Sequence, residues 1–260
     1  MTDKSNQIYD SLAVIYDDIM KNVDYEDWAD FIDAVIQEHH PDAVSILELA
    51  CGTGKVAMYL DELECYEITA TDNSEKMLDI ARPIAEFKKM RINWKQMDYK
   101  NPDYDETYDV VLNLFDSLNY VLDKDELAKT IDKVVPLLNE DGIFIFDVTT
   151  PLHSMEVEKS LNEEGITADD YRYERRSYYI PAERIHMNEF EIEKLDKDRV
   201  TVLSRTREVH RQRVYELSEI KEIIAKTGFE IVAAYDEFDF IDADENSNRI
   251  TMVLKCRTTP

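Results

Sequence analysis

From position 44 to position 148, short apolar runs alternate with stretches whose apolar residues recur every three or four positions. The run VSILELA (residues 44–50) is compact and apolar, and a turn with two glycines separates it from a helical stretch at 55–63. Residues 67–72 read as a second strand, and 74–87 as a helix with Met77, Leu78, Ala81, Ile84 and Ala85 on one face. A third strand is expected at 92–98, a fourth at 109–114 (DVVLNL), an amphipathic helix at 125–138 and a fifth strand at 142–148 (GIFIFDV). Continuous apolarity in such runs suits strands covered on both faces. Strand–helix alternation then predicts a parallel sheet with right-handed crossovers.

On either side the pattern differs. Residues 7–40 carry Ile8, Leu12, Ile15, Tyr16, Ile19, then Trp28, Phe31, Ile32 and Val35 at helical spacing, which predicts two helices with a break at 22–24. After Pro151 a helical stretch precedes three runs, 171–180, 185–194 and 199–211, that read as antiparallel strands, with Asp196, Lys197 and Asp198 in the last turn. A helix at 217–227 stops at Gly228, and strands at 230–235 and 250–255 close the sheet. The expected division is N-terminal helices (1–43), a strand–helix core (44–150), an antiparallel insertion (151–215) and the C-terminal part of the core sheet (216–260).

Composition changes this picture little. The 260 residues are 44% apolar, which suits a globular chain. The first seven residues lack the apolar core of a signal peptide, and no run is long enough to cross a bilayer. Cys51, Cys65 and Cys256 are widely spaced, giving neither a zinc site nor a disulfide framework, so no metal and a reducing cytoplasm are expected. The net charge of −27, from 30 basic and 57 acidic residues, argues against nucleic-acid and membrane footprints. It fits solubility in a salt-tolerant host or attraction of a cationic amine. A monomer or homodimer is expected.

The candidate chemistry begins at residues 46–54, ILELACGTG. A buried strand runs into a turn with Gly52 and Gly54 and then into a helix, where unpaired N–H groups can meet a ligand. Such a turn after the first strand of a parallel sheet is where nucleotides bind. Asp72 stands eighteen positions after Gly54, close to the ~20-residue offset of a carboxylate that grips ribose hydroxyls. Alternatively, Asp72 caps the following helix. The dinucleotide fingerprint is incomplete because position 57 is Ala, and Glu48 would repel a pyrophosphate. An acid there suits a ligand with an ammonium group, which argues against a nucleotide-dependent oxidoreductase.

Residues 48–54 resemble the first motif of class I S-adenosylmethionine-dependent methyltransferases, with Ala50 at the position many members give to glycine. Asp72 is similar to the acid after their second strand, Met97-Asp98-Tyr99 to their third motif, and residues 109–120 (DVVLNLFDSLNY) to their fourth. More of the chain, through Tyr9-to-Asp17, Asp24-Tyr25-x-x-Trp28 and Glu208-to-Tyr215, resembles a bacterial small-molecule subgroup similar to sugar-amine N-methyltransferases and glycine N-methyltransferase. The resemblance implies a Rossmann-like, mostly parallel seven-stranded sheet flanked by helices, with an antiparallel β insertion over the active site. It implies S-adenosyl-L-methionine as cofactor, held by Tyr16, Trp28, Glu48, Ala50, Cys51, Gly52, Gly54, Asp72, Asn73, Met77, Asp98, Tyr99, Leu114 and Phe115, with Asp98 on the adenine amino group. Packing of an ordinary helix stripe is the other account of Tyr16 and Trp28.

A methyl acceptor that is an amine must lose a proton, which a His, carboxylate or Tyr can take. Glu208, His210 and Gln212 share one face of a strand, with Arg211 and Arg213 opposite. If the first face lines the pocket, His210 is the candidate base; if the second does, an arginine holds an anionic part of the substrate. Asp116 and Tyr120, past the fourth strand, are further catalytic candidates. A non-catalytic cofactor-binding module serving a protein partner remains the alternative to an enzyme acting on a small-molecule substrate.

Overall fold

The computed structural model describes residues 8–103 and 105–257; the N-terminal heptapeptide considered for a signal peptide lies outside them. The chain opens with helices α1 (Ala13–Ile19) and α2 (Tyr25–His39), separated where Asp24 accepts the Asp27 N–H and starts α2. Then follow β1 (Ser45–Leu49), α3 (Lys55–Glu62), β2 (Glu67–Asp72), α4 (Glu75–Lys88), β3 (Asn93–Gln96), β4 (Tyr108–Asn113), α5 (Lys124–Asp132) and β5 (Leu138–Thr149). After α6 (Pro151–Val157) come β6 (Glu163–Ile166), β7 (Tyr171–Ile180), β8 (Ile185–Leu195) and β9 (Val202–Arg213), then α7 (Leu217–Ile224), β10 (Phe229–Asp236) and β11 (Arg249–Cys256).

The main sheet has seven strands in the order β10-β11-β5-β4-β1-β2-β3. Strands β1 to β5 pair in parallel, and β11 runs antiparallel between β5 and β10. Alternation along each strand splits the core in two. Ile46, Ile68, Val110 and Ile145 pack with Ile32 and Val35 of α2, Val56 and Leu60 of α3 and Ala81 of α4. Leu47, Val111, Phe144 and Phe146 pack on the other face with Leu127 and Ile131 of α5 and Ile220 and Ile223 of α7. The strand order reverses between β1 and β4, which opens a crevice at their C-terminal ends.

Four strands, β6-β7-β8-β9, form a separate antiparallel sheet. Helix α1 seats on it through Leu12 and Ile15, which meet Tyr173, Phe190 and Ile192. Several boundaries depart from the periodicity. The helix expected over 125–138 ends at Asp132 and gives way to a 3-10 turn at Val135–Leu137, because Pro136 has no N–H to continue it. Strand β5 begins at Leu138 rather than 142, bending at Gly142, where a Cβ would stand 3.0 Å from the Asn139 carbonyl and 3.1 Å from that of Tyr108. Strand β6 had no sequence signature: it is polar and half-exposed, and Gly165 lets the Tyr173 ring lie against its backbone.

Candidate active site

Two cavities of about 480 Å³ and 510 Å³ lie at this crevice. The turn from β1 into α3 forms the floor of the first. Ala50 and Gly52 have φ of 57° and 56°, so the chain folds back at once after the strand. The left-handed conformation costs a residue with a Cβ ~1–2 kcal/mol, and Ala50 bears that where glycine would not. The loop is pinned by Cys51 N–H to the Thr71 carbonyl (2.9 Å) and by Gly52 N–H to Asp72 Oδ2 (2.9 Å), while Asp72 Oδ1 accepts the Ser74 N–H (2.8 Å). The N-cap of α4 is Ser74 rather than Asp72, but Asp72 holds the turn into that helix through the Ser74 N–H and also lines the cavity. Burial pushes its pKa up, and the backbone N–H groups of Ser74, Gly52 and Asn73 act against that.

Glu48 lies beneath the loop and is 3% exposed. Burial pushes its pKa up to about 8, partly offset by the Ala57 N–H in the first turn of α3. Its Oε2 has no hydrogen-bond partner among the described residues, yet the side chain lines the cavity. A buried carboxyl with an unpartnered oxygen facing a cavity can be completed by a cation bound there. Asn73, Met77, Asp98, Tyr99, Cys51, Tyr16 and Phe115 complete much of the lining.

Three residues assigned to the cofactor from sequence stand elsewhere. Gly54, at φ 72°, does not line the cavity; a Cβ there would stand 2.2 Å from the Trp94 ring, so glycine serves close packing of α3 on β3. Leu114 is buried in the core among α2, α3 and the sheet. Trp28 stacks on Phe115 (ring centroids 4.2 Å apart) and lines the second cavity.

The second cavity lies between α1, α2, the end of β5 and the antiparallel sheet. Tyr9, Tyr16, Phe115 and Tyr120 line both cavities and form the wall between them. Phe115 and Asp116 are consecutive left-handed residues (φ 57° and 48°), and Asp116 lines only the second cavity. Its Oδ1 meets Arg249 Nη2 at 2.9 Å, and its Oδ2 accepts from Gln212 Nε2. Arg249 also pairs with the fully buried Asp147, whose Oδ2 accepts the Asp116 N–H at 2.9 Å. Burial drives the Asp147 pKa up to about 6 against the pull of Arg249. Glu163 and Arg175, 3.6 Å apart, line the same cavity. His153 lines it too, and burial, with Arg249 adding to it, lowers its pKa to about 4, so it is neutral near pH 7.

His210 lines neither cavity. It is 2% exposed and stands behind Tyr120, whose hydroxyl bonds His210 Nδ1 at 2.8 Å. His210 Nε2 bonds Glu208 Oε1 at 2.9 Å, and Tyr9 Oη lies 2.6 Å from Tyr120 Oη. Burial acts against ionisation of Glu208, but the hydrogen bond from His210 and the backbone N–H groups of Tyr9 and Ser11 hold its pKa below the usual value. On β9 both faces are used: Val209 and Arg211 line the first cavity and Gln212 the second. Sequence reasoning assigned no role to Tyr9, Gln212 or Arg249. Tyr9 stood within a quoted motif, whereas Arg249 reaches the site only because β11 pairs with β5, placing it opposite Thr149.

A profile described as a methyltransferase domain matches residues 46–142, the stretch that holds β1 to α5. A methyltransferase-family protein of Geobacillus sp. (strain WCH70) is 30% identical over 249 residues, which cover 95% of this chain and 99% of that one. The crystal structure of an S-adenosylmethionine-dependent methyltransferase from Clostridium acetobutylicum is similar over 96% of this chain and 99% of its own, with TM-score 0.76 and 26% identity. The chain belongs to the S-adenosylmethionine-dependent methyltransferases. The methyltransferase also shares its fold with the sugar N-methyltransferase KedS8 from Streptoalloteichus sp., at TM-score 0.69 and 21% identity over 97% of this chain and 98% of that one. S-adenosylmethionine is therefore its cofactor, and the free Glu48 oxygen in the first cavity suits that ligand's ammonium group. Among the described residues no cluster of His, Cys, Asp and Glu could hold a metal ion, and no helix is long and apolar enough to cross a membrane.

Proposed function

We propose that this methyltransferase methylates a nitrogen of a small polar amine held in the second cavity. The observation that carries this reading is the common wall: Tyr9, Tyr16, Phe115 and Tyr120 face a cofactor-sized space on one side and an acceptor-sized space on the other. The cofactor side would use Glu48 for the ammonium group, Asp72 for the ribose hydroxyls and Asp98 with Tyr99 for the adenine end. Bound there, S-adenosylmethionine supplies a methyl carbon on a sulfonium centre, and the protein's task is to position the nucleophile. The KedS8 fold likeness agrees with an amine acceptor.

The charge around the second cavity agrees as well. Asp116 and Glu163 balance Arg175 and Arg249 on the lining, and the fully buried Asp147 paired with Arg249 adds one negative charge behind it, which favours an ammonium over an anion. Tyr120 is the residue placed to take the proton. With Glu208 ionised, Nε2 of His210 carries the hydrogen, so Nδ1 accepts from the Tyr120 hydroxyl. A proton passing from the amine to Tyr120 Oη can then be matched by the Tyr120 proton moving to His210 Nδ1. The resulting imidazolium faces the Glu208 carboxylate. Asp116, clamped by Arg249 and Gln212, would orient the acceptor.

Turnover tests the reading. Amino sugars, amino alcohols and amino acids are incubated with methyl-labelled S-adenosylmethionine, and label transfer is followed by mass spectrometry. N-methylation of one class with saturation is the expected result. Transfer only to hydroxyls or carbon would overturn the nitrogen assignment.

A further inference from the structure

Glu208 uses both ends of its carboxylate. Oε1 bonds His210 Nε2 at 2.9 Å and also accepts the Tyr9 backbone N–H, while Oε2 accepts the N–H groups of Ser11 (3.0 Å) and Leu12 (3.1 Å). These amides belong to the segment that leads into α1, whose N-cap residue, Leu12, has no side-chain oxygen to offer them. A strand far along the chain thus supplies the capping that Ser or Asp would ordinarily provide locally. The same segment carries Tyr9, whose hydroxyl bonds Tyr120 and whose ring meets His210 edge-on at 4.7 Å. Glu208 is 4% exposed and His210 2%, so water cannot replace either partner while the segment is seated.

We propose that Glu208 is a positioning residue that couples the proton path to the seating of residues 9–12. With the segment seated, one carboxylate fixes the imidazole and Tyr9 fixes the Tyr120 hydroxyl. With it lifted, Glu208 and His210 meet solvent and Tyr120 loses a partner. Tyr9 lines both cavities, so admitting or releasing ligands past it disassembles the path, and closure rebuilds it. The catalytic consequence rests on the Tyr120–His210 relay proposed above; the coupling between segment and imidazole stands on the hydrogen bonds alone.

The coupling is tested by perturbing one end and reading the other, in full-length protein loaded with S-adenosylhomocysteine. Ser11→Pro removes one N–H that Glu208 accepts, at a residue lining neither cavity. Expected are faster exchange of the Leu12 amide, by roughly tenfold to a hundredfold for a bond to a charged group, and a shift of the His210 ring nitrogens in 15N spectra away from the Nε2–H tautomer. Glu208→Gln, nearly isosteric, should speed exchange at Ser11 and Leu12 alike and keeps the test intact if the proline variant folds poorly. Faster exchange with an unchanged His210 signal in Ser11→Pro would overturn the coupling, as would unchanged exchange in Glu208→Gln. With a methylated amine in hand, Glu208→Gln should lower kcat and leave the KM for the cofactor little changed; an unaltered kcat would reduce Glu208 to a clamp. If the wild type methylates no amine, the relay fails, and the exchange and ring signals still decide the coupling.

Discussion

Glu48→Gln separates what Glu48 costs the fold from what it gives the cofactor. In the free protein burial raises its pKa from 4.5 to about 8, so near neutral pH the folded chain keeps a proton that the unfolded chain releases. Stability from this group is whole below pH 4.5 and is lost as pH climbs through 8. At ~1.4 kcal/mol per pH unit, the gap is worth about 3 kcal/mol at pH 7 and about 4–5 kcal/mol above pH 8. Glutamine carries no proton to lose. Allowing for its own imperfectly bonded amide, the variant should gain ~2 kcal/mol at pH 8, raising Tm by roughly 4–8 °C, and little at pH 5. Cofactor binding should move the other way, weakening by ~1.5–3 kcal/mol with loss of a charged hydrogen bond. Scanning calorimetry of the free proteins at pH 5 and pH 8, with titration of S-adenosylmethionine at pH 7.5, reads both. Wild type binding should also release close to one proton at pH 7, visible by comparing buffers of different ionisation enthalpy. Equal Tm values at pH 8, or unweakened binding, would refute the placement of a neutral, cation-seeking carboxyl under the loop.

Other substitutions probe the remaining parts. Tyr120→Phe should keep cofactor affinity and lower kcat by ~10²–10⁴, the range for a positioned acid–base group, measured by S-adenosylhomocysteine formation; an unaffected rate would remove Tyr120 from the proton path. Asp72→Ala should weaken cofactor binding by ~1.5–3 kcal/mol in calorimetry, and unchanged affinity in a folded variant would refute the ribose assignment. Gly54→Ala should destabilise by at least ~2 kcal/mol, combining left-handed strain with overpacking against Trp94, seen as a lower denaturation midpoint. Asp147→Asn leaves Arg249 with one carboxylate, and loosening of Asp116 should raise the acceptor KM more than the cofactor KM.

Much of the main sheet could be read from periodicity because β1, β4 and β5 are apolar on both faces and their crossovers are amphipathic helices. The cofactor loop was legible because the backbone conformation at Gly52 is set within the turn, and Asp72 follows at the end of the adjacent strand β2, a regular offset in a strand–helix–strand unit. The second cavity was not local. Arg249, Asp147 and Asp116 meet through the pairing of β11 with β5 and a turn after β4, and no window of sequence contains all three. His210 was found as a candidate from strand alternation, but alternation gives only the face. It could not reveal that Tyr120 would stand between that face and the cavities. Trp28 sat in a motif of the N-terminal helices, yet stacking on Phe115 turns it to the second cavity.

The paired left-handed residues after β4 have a consequence for how such an enzyme diversifies. Phe115 faces both cavities and its immediate neighbour Asp116 only one, so a single reversal of the chain partitions the first cavity from the second. The first cavity draws on loops of the parallel sheet together with Val209 and Arg211 of β9, while the second draws on the end of β5, Arg249 of β11, Gln212 of β9 and the other antiparallel strands. With the acceptor in the second cavity as proposed, exchanging side chains that line that cavity alone would change which molecule is methylated and leave the lining of the first cavity untouched.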